Sequence, residues 1–76
     1  MLILEHDGTE SSNELFQELS DLLEYKFGYS TEQLIGEGPG ITLYEQQDNS
    51  ELKRITEFQS LPDEQSLRFI LDLCQY

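Results

Sequence analysis

Positive charge is scarce in this chain: four lysines and arginines stand against sixteen aspartates and glutamates in 76 residues, a formal net charge of −12. A surface that negative repels nucleic acid and anionic membrane and favours basic protein surfaces, so direct binding to a duplex or a bilayer is not expected. Between Met1 and Tyr25 the imbalance is complete, with seven acids and no fixed cation before Lys26. Cysteine occurs once, at Cys74, which excludes an intramolecular disulfide and a multi-cysteine metal site and fits a reducing compartment. No stretch approaches the roughly 20 apolar residues of a membrane span. The apolar run Met1-Leu2-Ile3-Leu4 is short, lacks a basic flank and a small-residue cleavage site, and meets Glu5 and Asp7, so it does not read as a signal peptide. A soluble cytoplasmic protein is the expectation.

Valine, alanine and tryptophan are missing altogether, and leucine, isoleucine, phenylalanine and tyrosine supply the apolar content. These bulky residues are enough for one small core, so the chain reads as a single domain over residues 1–76 and not as a disordered acidic tail. Leu2 to Glu5 reads as a strand closed by the Asp7-Gly8 turn. Ser11 with Glu14 forms a capping-box pattern, and Leu15, Phe16, Leu19, Leu22, Leu23 and Phe27 then recur at helical spacing until Gly28. Ser30 with Gln33 suggests one further helical turn through Ile35, before a Gly-Pro loop at residues 36–40. Ile41 to Gln46 and Leu52 to Phe58 read as a hairpin around Asp48-Asn49-Ser50, in a register that sets Ile41 against Phe58, Tyr44 against Ile55 and Glu45 against Arg54. Ser60, Pro62, Asp63 and Glu64 suit the start of a last helix carrying Leu67, Ile70, Leu71 and Cys74 on its apolar side. The fold class is therefore α+β in the order β-α-β-β-α, with a three-stranded sheet and helices packed on one face.

Enzyme templates find little support. The loop at residues 36–40 lacks the Lys-Ser/Thr of a phosphate loop and carries Glu37 where phosphate would sit. His6 is the lone histidine, and nothing places it beside Ser11, Ser12 or Cys74, so a strand-end histidine is the default and Cys74 reads as an inert packed thiol. Glu5, Asp7 and Glu10 cluster around Gly8 but miss the spacing of a calcium loop, so a solvated turn outweighs a metal site. Acyl carrier proteins share this size and acidity, yet Gln65-Ser66-Leu67 departs from their Asp-Ser-Leu attachment pattern. No catalytic, metal or cofactor site is expected.

What remains is an acid stripe. Advancing about 100° per residue from Glu10, the acids Glu14, Glu18, Asp21 and Glu24 fall between roughly −40° and 80°, and the apolar residues between roughly 120° and 260°. A solvated helix face is the ordinary meaning of such a run. A face serving solubility alone, however, would gain from lysines spaced among the acids, and this one forgoes them on every exposed turn. The expectation is a small non-enzymatic inhibitor that sets carboxylates where phosphates would lie on the basic nucleic-acid-binding surface of a partner protein. Glu10, Glu14, Glu18, Asp21 and Glu24 would carry it, Tyr25 would anchor it, and Glu5, Asp7 and Glu32 would extend the patch. In size and charge the chain is similar to phage and mobile-element anti-defence proteins, an analogy of charge profile alone. The alternative is a regulatory or antitoxin-like module that binds protein without imitating nucleic acid.

Crowding this much like charge onto a small surface should destabilise the folded state in dilute buffer. Raising sodium chloride from about 0.01 M to about 0.15 M shortens the screening length from about 30 Å to about 8 Å and should raise the melting temperature. A melt that stays still or falls would contradict the repulsion.

Overall fold

The computed structural model describes residues 1–38 and 40–73. The elements run β1 (Leu2–His6), α1 (Glu10–Tyr25), β2 (Thr31–Ile35), β3 (Ile41–Gln46), β4 (Leu52–Phe58) and α2 (Glu64–Leu73). The α+β class holds, but the sheet has four strands where three were expected, in the spatial order β2-β1-β3-β4. The added strand is the segment whose Ser30 and Gln33 imitate a helix start. It pairs parallel to β1, from Leu2 opposite Thr31 to His6 opposite Ile35, while β1–β3 and β3–β4 are antiparallel. Ladder hydrogen bonds that fix the backbone of 31–35 to β1 prevail over the weak local signal of a single polar turn.

Strand alternation separates two faces. Leu2 and Leu4 of β1, Ile41 and Leu43 of β3 and Phe58 of β4 point to one side, where they form a single core with Phe16, Leu19 and Leu23 of α1 and Leu67 and Leu71 of α2. Both helices thus cover the same face. The other face has no layer over it among the described residues, and Ile3, at 7% exposure, sits at its centre between Glu32 and Tyr44 on the flanking strands.

Local details amend the expected boundaries. Thr9, not Ser11, caps α1: its hydroxyl accepts from the Ser12 N–H and its carbonyl from the Asn13 N–H, and Ser12 is buried beneath the first turn. The stop at Gly28 holds, with φ +74° and the Tyr29 N–H donating back to the Leu23 carbonyl. At α2 the cap is Asp63, not Ser60, its carboxylate accepting from the Ser66 N–H at 2.7 Å and its carbonyl from Leu67. The hairpin keeps Ile41 opposite Phe58, but a bulge at Ile55 shifts the rest, so Tyr44 faces Arg54 and Glu45 faces Lys53. The bulge turns Ile55 toward the core, where it packs half-buried. The Arg68 guanidinium lies 5.2 Å from the Phe27 ring centre and ties α2 to the segment after α1. Cys74, expected to pack on α2, lies outside the described residues.

Truncating Leu19, fully buried in the core, to alanine should cost about 2 to 5 kcal/mol. Neutralising the exposed acids through Glu14→Gln, Glu18→Gln and Asp21→Asn should leave the melt unchanged or slightly higher. A backbone comparison is sharper still. Gly28 and Gly40 both have positive φ, but a Cβ at Gly28 meets nothing, whereas one at Gly40 would lie 2.5 Å from the Phe58 carbonyl oxygen. Gly28→Ala should therefore lose only the left-handed penalty of about 1 to 2 kcal/mol, and Gly40→Ala distinctly more by chemical denaturation.

Candidate protein-binding surface

α1 is amphipathic because its buried residues, Ser12, Phe16, Leu19, Ser20 and Leu23, return every three or four positions. On the wheel their centre lies near 225°, about 155° away from a midpoint near 20° for the acids. Glu10, Glu14, Glu18, Asp21 and Glu24 are accordingly all exposed on the outer side of the helix layer. The stripe extends about 21 Å at about 1.5 Å per residue. Tyr25 stands among these acids at 84% exposure. Among the described residues the one ion pair joins Arg54 to Glu57 at 3.3 Å on β4, so no cation neutralises α1. Among the described residues Glu24 makes the one side-chain hydrogen bond of the stripe, accepting from the Thr31 hydroxyl at 3.3 Å, and that hydroxyl also lies 2.6 Å from the Ser20 Oγ.

The other acids expected in the patch lie elsewhere. Glu5 alternates with Leu4 and His6 along β1, and Glu32 lies opposite Ile3, so both occupy the uncovered sheet face, on the far side of the sheet from α1. There the Tyr44 hydroxyl donates to Glu5 Oε1 at 3.2 Å, and burial first, then this bond and the adjacent carboxylate charge, raise the Tyr44 phenol above its ordinary value. Asp7 follows β1 at the foot of α1, accepting from the Thr9 N–H at 3.0 Å and the Thr9 hydroxyl at 2.8 Å. These bonds, the backbone one foremost, hold its carboxyl below the ordinary value. Asp7 also lines a shallow depression of about 270 Å³ with Thr9, Ser11, Ser12, Leu15, Gly40 and Gln59, and its charge already occupies the helix N-terminus where an anion would bind. Five acids and Tyr25 thus form one surface, Asp7 borders it, and Glu5 and Glu32 belong to another.

His6 is buried at 1% exposure and stacks on Phe16 with ring centres 5.2 Å apart. Its Nδ1 accepts from the Gly8 N–H at 3.1 Å, which places the proton of the neutral ring on Nε2. That nitrogen has no hydrogen-bond partner among the described residues. Among those residues no three His, Cys, Asp or Glu side chains gather to hold a metal ion, and no helix is long and apolar enough to cross a membrane.

Residues that sequence reasoning passed over are Leu34 and Ile35, exposed on β2 at 38% and 57%. Two adjacent aliphatics ahead of a glycine loop were their only signal. A second groove, about 350 Å³ between β4 and α2, brings Lys53 and Arg54 beside Ile55, Thr56, Ile70 and Leu73. Compared with protein-family models, curated proteins and solved structures, the chain matches none.

The carboxyls of Asp7 and Asp63 are both lowered from 3.8, each chiefly by a backbone N–H donor, Thr9 and Ser66 respectively. A depressed carboxyl stabilises the fold above its unfolded value and loses that contribution as pH falls through its lower folded value. Asp63→Asn and Asp7→Asn should therefore melt below the parent at neutral pH, with the gap closing as pH is taken down past 3.8. Gaps that persist undiminished in acid would assign the stabilisation to something other than these charged caps.

Proposed function

We propose that this protein is a non-enzymatic inhibitor that docks the outer face of α1 on the basic nucleic-acid-binding surface of a partner protein. The observation that carries the reading is a helix face of five exposed acids with no neutralising cation among the described residues, interrupted by one large exposed aromatic ring. Carboxylates one helical turn apart are spaced about 6 Å along the axis, against about 3.4 Å per phosphate on one DNA strand, so each acid stands for about two phosphates. An array of that density suits a groove or patch that grips a backbone by charge, and steers association more than it fixes final affinity. The anti-defence proteins of phages and mobile elements provide the nearest functional analogy. Glu10, Glu14, Glu18, Asp21 and Glu24 supply the field, and Tyr25 supplies the apolar contact that slows dissociation.

A second reading is favoured by the exposed aliphatics Leu34 and Ile35 of β2, which are not part of the α1 stripe. In it the protein is a regulatory or antitoxin-like module whose partner contacts need not overlap a nucleic-acid site. The two separate on one competition measurement. A partner captured from lysate after nuclease treatment should release this protein when DNA or RNA is added, and should bind it less as salt rises. Simultaneous binding of the protein and the nucleic acid would remove the mimic and leave the second reading.

Two sets of variants resolve charge from shape. Replacing Glu14, Glu18 and Glu24 together by glutamine should slow association about tenfold at low salt with the melt unchanged. Tyr25→Ala should instead raise the dissociation rate about tenfold, with the salt dependence preserved. Parental binding rates in the triple variant would reduce the stripe to a solubility device.

A further inference from the structure

We infer that the free edge of β2 is a strand-addition site for an extended cationic segment of the partner. β2 is an outermost strand, and its backbone geometry is set by the parallel ladder to β1. At the two ends of that ladder the Leu2 N–H donates to the Ser30 carbonyl and the Gly36 N–H to the His6 carbonyl. Residues of even number in this stretch therefore turn their amide groups inward, and Thr31, Gln33 and Ile35 turn theirs outward. Three N–H donors and three carbonyl acceptors form a row about five residues long, the length of an ordinary strand. No described element lies beyond them.

The two edges of the sheet differ in protection. β4 carries a bulge at Ile55 and adjacent cations at Lys53 and Arg54, the usual means by which an edge refuses a further strand. β2 has neither lysine, proline nor bulge, and it exposes Leu34 and Ile35. Its side chains are graded along the strand. Glu32 on the uncovered face and Glu24, bonded to Thr31 on the helix side, put negative charge at one end, and the aliphatic pair stands at the other. A strand laid along this edge would present lysine or arginine to the acidic end and apolar side chains to Leu34 and Ile35.

The same charge decides against a second copy as occupant. Antiparallel pairing of two β2 strands about Gln33 would set Glu32 opposite Leu34 of the other molecule and bring two chains of net charge −12 into contact. A cationic segment meets no such repulsion. The inference rests on the proposed basic partner, but on backbone groups of β2, with Glu24 the one acid of α1 that the edge shares with the stripe.

The probe is a synthetic peptide of about seven residues with lysines at both ends and valines at its centre, so that either strand direction brings a lysine to Glu24 and Glu32. Saturating peptide should slow hydrogen exchange at the amides of Thr31, Gln33 and Ile35 by tenfold or more. The same peptide N-methylated through its centre keeps its charges but loses its donors, and should bind at least tenfold more weakly. Gln33→Pro removes the central outward donor without touching the ladder to β1, and Ile35→Lys places a cation on the edge while leaving every backbone group intact. Both should keep the parental melt and lose the peptide. Equal binding of the methylated peptide, or binding that leaves the three amides unchanged, overturns the proposal. So does equal protection by a peptide with threonine in place of lysine, or a dimer that protects these amides without any peptide. Because a variant carrying only Glu14→Gln and Glu18→Gln leaves Glu24 and Glu32 of the edge in place, its loss of partner binding with intact edge protection would leave this inference standing, and the converse would sink the edge alone.

Discussion

The parallel pairing of β1 with β2 is the constraint on which the remaining arrangement depends. Two parallel neighbours cannot be joined by a tight turn, so the chain between His6 and Thr31 has to return along the sheet, and α1 is that return. Leu2 and Leu4 of β1 then receive Phe16, Leu19 and Leu23, which fixes the rotation of the helix about its axis. Once that rotation is fixed, the acids opposite the buried stripe have one direction left to face. The negative surface is thus positioned by the same contacts that hold the core, and its acids are displayed on a rigid element and not on a loop.

Charge on α1 runs against the local interests of the helix. Glu10 suits the N-terminal turn, but Asp21 and Glu24 lie near the C-terminal end, where the carbonyl dipoles favour cations, and the last turn carries no basic residue. Acids at i and i+4 also repel one another. Tertiary packing of the opposite face is what stabilises the helix in spite of these terms, since short helices draw most of their stability from burial. An arrangement that opposes both dipole and neighbour effects is what a surface used for attraction would display, and it is a poor way to obtain solubility alone.

Strong periodicity made most of the fold legible in the sequence. The helical recurrence of Leu15 to Phe27, the short apolar strands and the Asp-Gly turn located β1, α1, β3, β4 and α2, because each buries a regular face. β2 escaped because edge strands bury little: its residues lack alternation, and Ser30 with Gln33 supplied a competing helical pattern. Leu52, Ile55 and Phe58 recur every third residue, a spacing that a short helix would also satisfy, although the turn and the β-branched Ile55-Thr56 favour a strand. Between Ile55 and Phe58 that spacing is the trace of the bulge, where one extra residue brings both side chains to the core side. The polar clusters at the two helix starts do not by themselves reveal the cap, since the choice between Thr9 and Ser11, or Asp63 and Ser60, rests on which side chain reaches the backbone donors in the folded chain. The stripe itself was readable from helix geometry. Whether Glu5 and Glu32 joined it was not, because that turns on the face each strand presents, and β2 had no strand to present until its ladder was known.

Net charge also bears on the unguarded edge. Strand edges usually resist self-pairing through lysines, prolines or bulges, and β4 carries two such features, whereas β2 has only acids around it. With sixteen acids against four bases, two copies approaching edge to edge meet repulsion from the whole molecule as well as from Glu24 and Glu32. Under the proposed edge docking, a long-range field of one sign would stand in for local protection and would do so selectively, repelling the protein's own copies while attracting a basic chain. Local blockers would have closed the edge to both. An acidic composition is consequently compatible with an open, hydrogen-bonding strand on a chain of this size, because like charge opposes the edge-to-edge contact of copies that the exposed Leu34 and Ile35 would otherwise favour.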